Sequence, residues 1–187
     1  MKSKLILWDW NGTLLNDVAV CVDAMNIMLA KRAINALNIE TYQKIFTFPV
    51  QNYYKALGFD FNKDSFEDLS IEYIGLYKDL SVKSPLQEGA IEMLEYFKEK
   101  DYKQVIISAS EQKALENQVQ ERNITKYFDT IIGLDNIHAH SKLHNALAYI
   151  NELKIKPQNI CFIGDTYHDF EVADAIGCKC ILIKSGH

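Results

Sequence analysis

Three carboxylates, a lysine and a hydroxyl stand where a small catalytic centre could be assembled. Asp9 closes the apolar run Leu5–Trp8 and opens the segment Trp8-Asp9-Trp10-Asn11-Gly12-Thr13. Gly12 lets the backbone after that aspartate approach a ligand closely. An aspartate in such a place equally suits a helix N-cap or an ordinary loop, so the other run ends must decide. The run Val105–Ile107 is followed by Ser108, whose hydroxyl can bond a phosphate oxygen. The run Ile160–Ile163 leads into Gly164-Asp165-Thr166-Tyr167-His168-Asp169, two carboxylates four residues apart around a turn. Lys142 follows Ser141, an N-capping residue type, which puts its ammonium beside a helix N-terminus that attracts anions. Hard oxygen donors converging with a lysine and a hydroxyl suit Mg²⁺ and a phosphoryl group.

The elements that must position these residues follow from the hydrophobic pattern. Leu5–Trp8, Val105–Ile107, Thr130–Ile132, Ile160–Ile163 and Ile181–Ile183 are too short for helices and are bounded by polar or glycine residues. Such runs are expected as strands buried on both faces of a parallel sheet. Amphipathic stretches at Ala90–Lys100, Gln112–Arg122, Lys142–Leu153 and Asp169–Ile176 lie between the later runs. The alternation predicts an α/β fold, a doubly wound and mostly parallel sheet of Rossmann-like type. Its ligand site is expected beyond the carboxyl ends of the strands, where the residues above fall. From Leu15 to Ser84 no strand pattern occurs. Val18, Cys21, Val22, Met25, Met28 and Leu29 recur at helical spacing, as do Phe66, Leu69, Tyr73, Leu76, Tyr77 and Leu80. The expected division is a catalytic core of residues 1–14 and 85–187 with an inserted all-α cap over 15–84.

Composition narrows the function classes. The 187 residues carry 20 Lys and Arg against 25 Asp and Glu, a net charge of −5. That balance argues against nucleic acid and polybasic membrane anchoring. No segment approaches the roughly 18 apolar residues of a membrane span. Met1-Lys2-Ser3-Lys4 precedes an apolar run of only four residues, shorter than a signal peptide needs. A cytoplasmic location is the expectation. Cys21, Cys161, Cys178 and Cys180 lack metal-finger spacing and are expected as buried, reduced thiols. Nothing in the sequence speaks to oligomeric state.

Taken together, Asp9-x-Asn11-Gly12-Thr13, the strand ending in Ser108, Lys142, and Gly164-Asp165-x-x-x-Asp169 resemble, in that order, the signatures of the haloacid dehalogenase superfamily. The resemblance is to phosphoglycolate-phosphatase-like members with a small helical cap, and it covers the whole chain. Lys142 precedes Gly164 by 22 residues, a separation common in that family. The resemblance implies Mg²⁺-dependent hydrolysis of a small phosphorylated metabolite, with Asp9 attacking phosphorus to form an aspartyl-phosphate. It implies Mg²⁺ ligation by the carboxylates of Asp9 and Asp165 and the backbone carbonyl of Asn11, with Asp169 supporting or binding through water. Ser108 and Lys142 would hold phosphoryl oxygens, assisted by backbone amides near Asn11 and Gly12. Members of the family continue through a further helix after the fifth strand, beyond the position of His187.

One residue departs from the pattern. The phosphatases usually carry a second aspartate two residues after the nucleophile, and here that residue is Asn11, which cannot transfer a proton. General acid–base help is typically worth 10² to 10⁴ in rate, so Asn11 leaves two rivals standing. One is a phosphonate C–P hydrolase of the same superfamily using a cap lysine, for which Lys44 is the candidate. The other is a non-catalytic member that binds a phosphoester or a partner. A dehalogenase proper would have no use for the acidic pair in Gly164–Asp169. His138, His140 and His144 cluster without further metal ligands at suitable spacing and read as surface. His168, inside the acidic turn, could shuttle a proton in place of the missing aspartate. Phe46, Phe48, Tyr53 and Tyr54 read as core, whereas Trp10 is expected to line the substrate pocket because of its place in the loop.

Overall fold

The computed structural model describes residues 4–134 and 142–187. Two compact units emerge. The chain up to Asn16 joins Leu86–Gly186 in one, and Asp17–Pro85 with His187 forms the other.

The first unit is built on five parallel strands: β1 (Leu5–Trp8), β2 (Lys103–Glu111), β3 (Thr130–Leu134), β4 (Ile160–Gly164) and β5 (Lys179–Leu182). They lie in the order β3-β2-β1-β4-β5. All four residues of β1 are buried, and they alternate between two cores as the period of a strand requires. Leu5 and Leu7 join Val105, Ile107 and Phe162 on one face. Ile6 and Trp8 join Ile106 and Ile163 on the other. Each such side chain contributes about 2 kcal/mol by leaving water, which is why the run has no polar interruption until Asp9.

Helices cover both faces. With the helices of the second unit, Val18–Lys31 (α1), Ile39–Ile45 (α2), Val50–Leu57 (α3) and Phe66–Ser81 (α4), counted first, those of the sheet unit are α5 (Ala90–Glu99), α6 (Gln112–Glu121), α7 (Lys142–Leu153) and α8 (Tyr167–Ile176). Leu94 of α5 and Leu115 and Val119 of α6 pack on the Ile6 face. Ala146 and Ile150 of α7 and Val172, Ala173 and Ile176 of α8 pack on the Leu5 face. The winding changes face at β1, so the polar ends of β1, β2 and β4 open at the point where the strand order reverses.

Three details depart from the pattern read in the sequence. β5 begins at Lys179, and as an edge strand it is not buried on both faces, with Ile181 and Leu182 about half exposed. β2 runs three residues past Ser108, with an irregular register against β3 between Ile107 and Glu111. Helix α8 begins at Tyr167, two residues earlier than its apolar periodicity shows, because the polar first turn is held by a cap. Cys180 of β5 and Cys178, just before that strand, pack against the same core. All four cysteines are free thiols, but only Cys21 is buried, while Cys161, Cys178 and Cys180 are half-buried because they lie at the margin of the core.

The second unit is wholly helical. Val18, Cys21, Val22, Met25, Met28 and Leu29 of α1 are buried with Leu69 of α4 and with Tyr42, Tyr53, Tyr54 and Phe59. Arg32, at the end of α1, forks onto both oxygens of Asp64 at 3.0 Å and reaches Glu72 at 2.9 Å. That bidentate geometry is the strong form of an ion pair. No described helix is long and apolar enough to cross a membrane.

Candidate active site

Asp9 is the first residue past β1, and its backbone N–H still bonds Ile163 of β4 at 2.9 Å, so the neighbouring strand fixes its position. The chain then turns sharply. The carbonyl of Trp10 accepts from Leu14 and Leu15 at 3.0 and 2.9 Å, and Gly12 takes a positive φ of 72° that other residues rarely adopt. Gln87 donates from Nε2 to the carbonyl of Gly12 at 2.8 Å, holding the turn from outside. Asn11 and Thr13 are thereby aimed at different partners. Asn11 Oδ1 accepts from Ser110 Oγ at 2.7 Å, and Thr13 Oγ1 donates to Asp165 Oδ1 at 2.7 Å.

Ser108 is 2% exposed, and its hydroxyl oxygen accepts the backbone N–H of Ser110 at 3.1 Å. The irregular register of β2 falls on these residues, the kind of local distortion that re-aims side chains beside active sites. Asp165 follows β4 directly. Asp169, three residues into the capping turn of α8, accepts through Oδ2 from the backbone N–H groups of Asp165 and Thr166 at 3.1 and 2.9 Å. It also accepts from the Thr166 hydroxyl at 2.9 Å. A Cβ on Gly164 would lie 2.4 Å from the Asp169 side chain, so only glycine admits this closure.

Lys142, the first residue of α7, is 4% exposed and donates from Nζ to Asp9 Oδ1 and to Asp169 Oδ1. Burial by itself would favour the neutral amine. The charges of Asp9 and Asp169 outweigh it and hold the lysine pKa above its ordinary value. Asp169 is likewise buried, yet Lys142 and Thr166 keep its carboxyl below the usual range. Asp9 moves the other way. Burial raises its pKa, Lys142 opposes, and the nearby charges of Asp169 and Asp165 add to the rise.

Three carboxylates therefore cluster, two of them on one ammonium, with an oxygen of each of Asp9, Asp165 and Asp169 within 4.8 Å of the others. Ionised together they exceed the charge of Lys142 by two, and every donor is a hard oxygen. The residues fit a small divalent cation such as Mg²⁺. Asp169 is the least suited to direct ligation, because Lys142 and the capping bonds already use both of its oxygens.

The residues named from sequence thus fall as follows. Asp9, Asn11, Gly12, Ser108, Lys142, Asp165 and Asp169 all lie at the carboxyl ends of β1, β2 and β4 or on the helices that begin there. Trp10 corrects the expectation: it does not line a pocket. It is 0% exposed among Leu14, Leu115 and Val119, and its Nε1 donates to Gln118 at 2.7 Å. The turn that presents Asp9 and Asn11 drives the intervening ring into the core. His168 pairs with Glu171 one turn along α8 at 3.2 Å. His144 is exposed, while His138, His140 and Ser141 lie outside the described residues. Lys44 is 69% exposed and paired with Glu40 at 2.6 Å, with nothing to desolvate it as a Schiff-base lysine requires.

Sequence reasoning missed Ser110 and Gly186 and gave Thr13 no role. Ser110 carried a signal, since in a strand it shares a face with Ser108. A Cβ on Gly186 would lie 2.1 Å from Asp165 Oδ2, a contact no local pattern announces.

The chain is similar to known proteins. The family of haloacid dehalogenase-like hydrolases matches residues 6–183. Phosphoglycolate phosphatase 1 of Pseudomonas aeruginosa is 22% identical over 98% of this chain and 70% of its own length. N-acetylmuramic acid 6-phosphate phosphatase of Pseudomonas putida is 22% identical over 100% of this chain and 85% of its own. Among solved structures, a haloacid dehalogenase-like hydrolase from Bacteroides fragilis superposes with a TM-score of 0.84 at 20% identity, over 99% of this chain and 89% of that one.

Proposed function

From the premise that this chain belongs to the haloacid dehalogenase-like hydrolases and is a phosphoric monoester hydrolase of phosphoglycolate phosphatase-like type, we propose that it cleaves a small phosphate monoester through an aspartyl-phosphate on Asp9. The observation that carries this reading is Lys142, buried and bonded to Asp9 and Asp169 together. A cation held against the attacking carboxylate is what a phosphate dianion needs in order to approach it.

Asp9 forms the new P–O bond while the bond to the leaving oxygen breaks. Lys142, kept charged by its two carboxylates, orients Asp9 and takes up charge on the phosphoryl oxygens. Ser108 supplies a hydroxyl to the same group. Asp169 acts through Lys142 and the α8 cap. Mg²⁺ held by the carboxylates of Asp9 and Asp165 and the carbonyl of Asn11 would supply further positive charge to the transferring group. In the second step water takes the phosphoryl group from Asp9, regenerating the carboxylate and releasing phosphate. Catalysis of this kind is positioning and charge stabilisation. The helical unit is read as the cap that shapes specificity.

The test is phosphate release from a panel of sugar phosphates, phosphoglycolate, nucleotides and acyl phosphates, with and without Mg²⁺. Asp9→Ala should abolish release on every substrate, and the wild-type chain should gain a phosphate-sized mass on Asp9 during turnover. Release that survives Asp9→Ala overturns the reading.

A further inference from the structure

A second group of ligand-type side chains lies in the helical unit. Asp17 sits at the N-cap position of α1 without a side-chain capping bond, and Cys21 stands one turn later, so their side chains share a face. His187, which groups with this unit, brings Nε2 to 3.5 Å from Asp17 Oδ1. Cys21 Sγ lies 3.9 Å from Asp17 Oδ2. One ligand atom from each of the three lies within 4.8 Å of the other two. Asp17 is 0% and Cys21 5% exposed, and the His187 side chain is 8% exposed. We propose that Asp17, Cys21 and His187 form a site for a transition-metal dication of zinc type, chemically distinct from the oxygen-lined centre around Asp9.

The spacing supports a metal better than a direct ion pair. A hydrogen-bonded imidazolium and carboxylate close to about 2.7–2.9 Å, and His187 and Asp17 stand further apart than that. Around a tetrahedral ion with Zn–N, Zn–O and Zn–S near 2.0, 2.1 and 2.3 Å, neighbouring N and O ligands are about 3.4 Å apart and S and O about 3.6 Å apart. The 3.5 Å between His187 Nε2 and Asp17 Oδ1 comes close to the N–O edge. Cys21 Sγ lies 3.9 Å from the other oxygen, Oδ2, and swings toward Oδ1 when an ion is bound.

The surroundings have the form that metal ligands need. Tyr42 OH bonds His187 Nδ1 at 2.7 Å. With Nδ1–H as the donor, the Nε2 lone pair is turned toward Asp17. Tyr77 OH donates to Asp17 Oδ2 at 2.6 Å, fixing the carboxylate. Partners of this kind on the far atoms of ligating histidines and carboxylates set their orientation. Charge also balances. A carboxylate, a thiolate and a neutral imidazole sum to −2, so a dication binds as the Cys21 proton leaves and the buried centre becomes neutral. Sulfur and imidazole prefer Zn²⁺ or Co²⁺ to Mg²⁺, which keeps this site separate from the hard-oxygen centre. Three protein ligands leave a fourth position for water.

Cobalt titration of the full chain tests the assignment, because a thiolate ligand gives Co²⁺ an intense near-ultraviolet charge-transfer band. We expect the band at one equivalent in the wild type and in Asp9→Asn, and its loss in both Cys21→Ser and Cys21→Ala. Tyr42→Phe should keep the band while weakening Co²⁺ binding about tenfold, through its hold on the His187 ring. Zn²⁺ should raise the melting temperature of the wild type and not that of Cys21→Ala. Absence of the band in the wild type overturns the proposal, and leaves an imidazolium–carboxylate contact as the role of His187. Persistence of the band in Cys21→Ser overturns it too. Neither result bears on phosphate release at Asp9.

Discussion

Ser110 Oγ donates a 2.7 Å hydrogen bond to Asn11 Oδ1, tying the turn after β1 to the irregular end of β2. With its oxygen taken by Ser110, the amide turns its NH₂ edge the other way, so position 11 presents an amide and not an acid. Ser110→Ala releases that orientation. A hydrogen bond of this kind is worth about 1 kcal/mol, and kcat/KM on alkyl phosphates should fall about fivefold. Aryl phosphates, whose leaving groups need little help, should lose less. Parallel kinetics on both classes check this, and equal losses would assign Ser110 to loop shape alone.

The hard-oxygen centre sets a metal dependence. Asp9, Asp165 and Asp169 crowd like charge together, which disfavours the fully ionised cluster without a cation. Mg²⁺ or Mn²⁺ should activate, and Ca²⁺, with its larger and looser shell, should inhibit. Mg²⁺ at a hundred times its Kd should stabilise the fold by about 2.7 kcal/mol. In Asp165→Ala that thermal shift and the activity should disappear together. Full turnover in excess chelator would exclude the assignment.

Gly164 is a second handle on the same centre. Its missing Cβ is the space into which Asp169 closes, 2.4 Å from where that carbon would sit. Gly164→Ala must push Asp169 off the α8 cap and off Lys142. Overpacking of this kind costs about 1–3 kcal/mol, and activity should fall much further than stability because Lys142 loses one of its two anchors. Calorimetry beside single-turnover kinetics separates the two effects.

The sheet was legible where a strand is buried on both faces, so Leu5–Trp8 or Ile160–Ile163 could not hide a polar residue before its functional end, whereas the bounds of the exposed edge strand β5 were less so. The helices were legible where one face is apolar, and misplaced at α8, whose first turn is set by the Asp169–Thr166 cap instead of by hydrophobic spacing. Asp9, Lys142 and Asp165 stood out because they directly follow strands or open a helix. Trp10 misled for the same reason: its place in the loop says nothing about which way a tight turn throws its ring. Ser110 depends on the irregularity in β2, and Gly186 on a tertiary approach to Asp165 from far along the chain. Gly186 leaves no local pattern, and Ser110 only its place two residues after Ser108.

The helical unit should carry its own acid sensitivity. Burial would raise the Glu72 carboxyl, but its bonds from Lys31 and Arg32 prevail and hold it below the ordinary value. Asp64 is lowered chiefly by its hydrogen bonds from Arg32. Both groups bind protons more weakly folded than unfolded. Their contribution to stability is therefore complete above the unfolded carboxylate range, near pH 4 to 4.5, and is lost as pH falls through the lower folded values. Arg32→Met should flatten this acid limb while leaving the neutral-pH activity of the sheet unit in place. Melting temperatures between pH 3 and about pH 7 read the difference.

Asn11 itself gives the sharpest test of the chemistry. Expelling an alkoxide from phosphorus needs a proton as the bond breaks, and an amide can offer only a hydrogen bond. The first step should therefore depend steeply on leaving-group pKa, with aryl and acyl phosphates reacting readily and alkyl phosphates slowly. With no base at position 11 to activate water, the phosphorylated Asp9 should also accumulate. Asn11→Asp restores an acid with almost no change in volume, and Ser110 Oγ, 2.7 Å away, is placed to hold the new carboxyl in the same orientation. Turnover of alkyl esters should rise about ten- to a thousandfold, short of the general acid–base ceiling because nothing around the turn is tuned to that group. Single-turnover cleavage of p-nitrophenyl phosphate should change far less. Equal gains on both substrate classes would show that Asn11 does not stand in the place of an acid. A loss on both would move the proton to another group, with His168 beside Asp169 the first to be replaced.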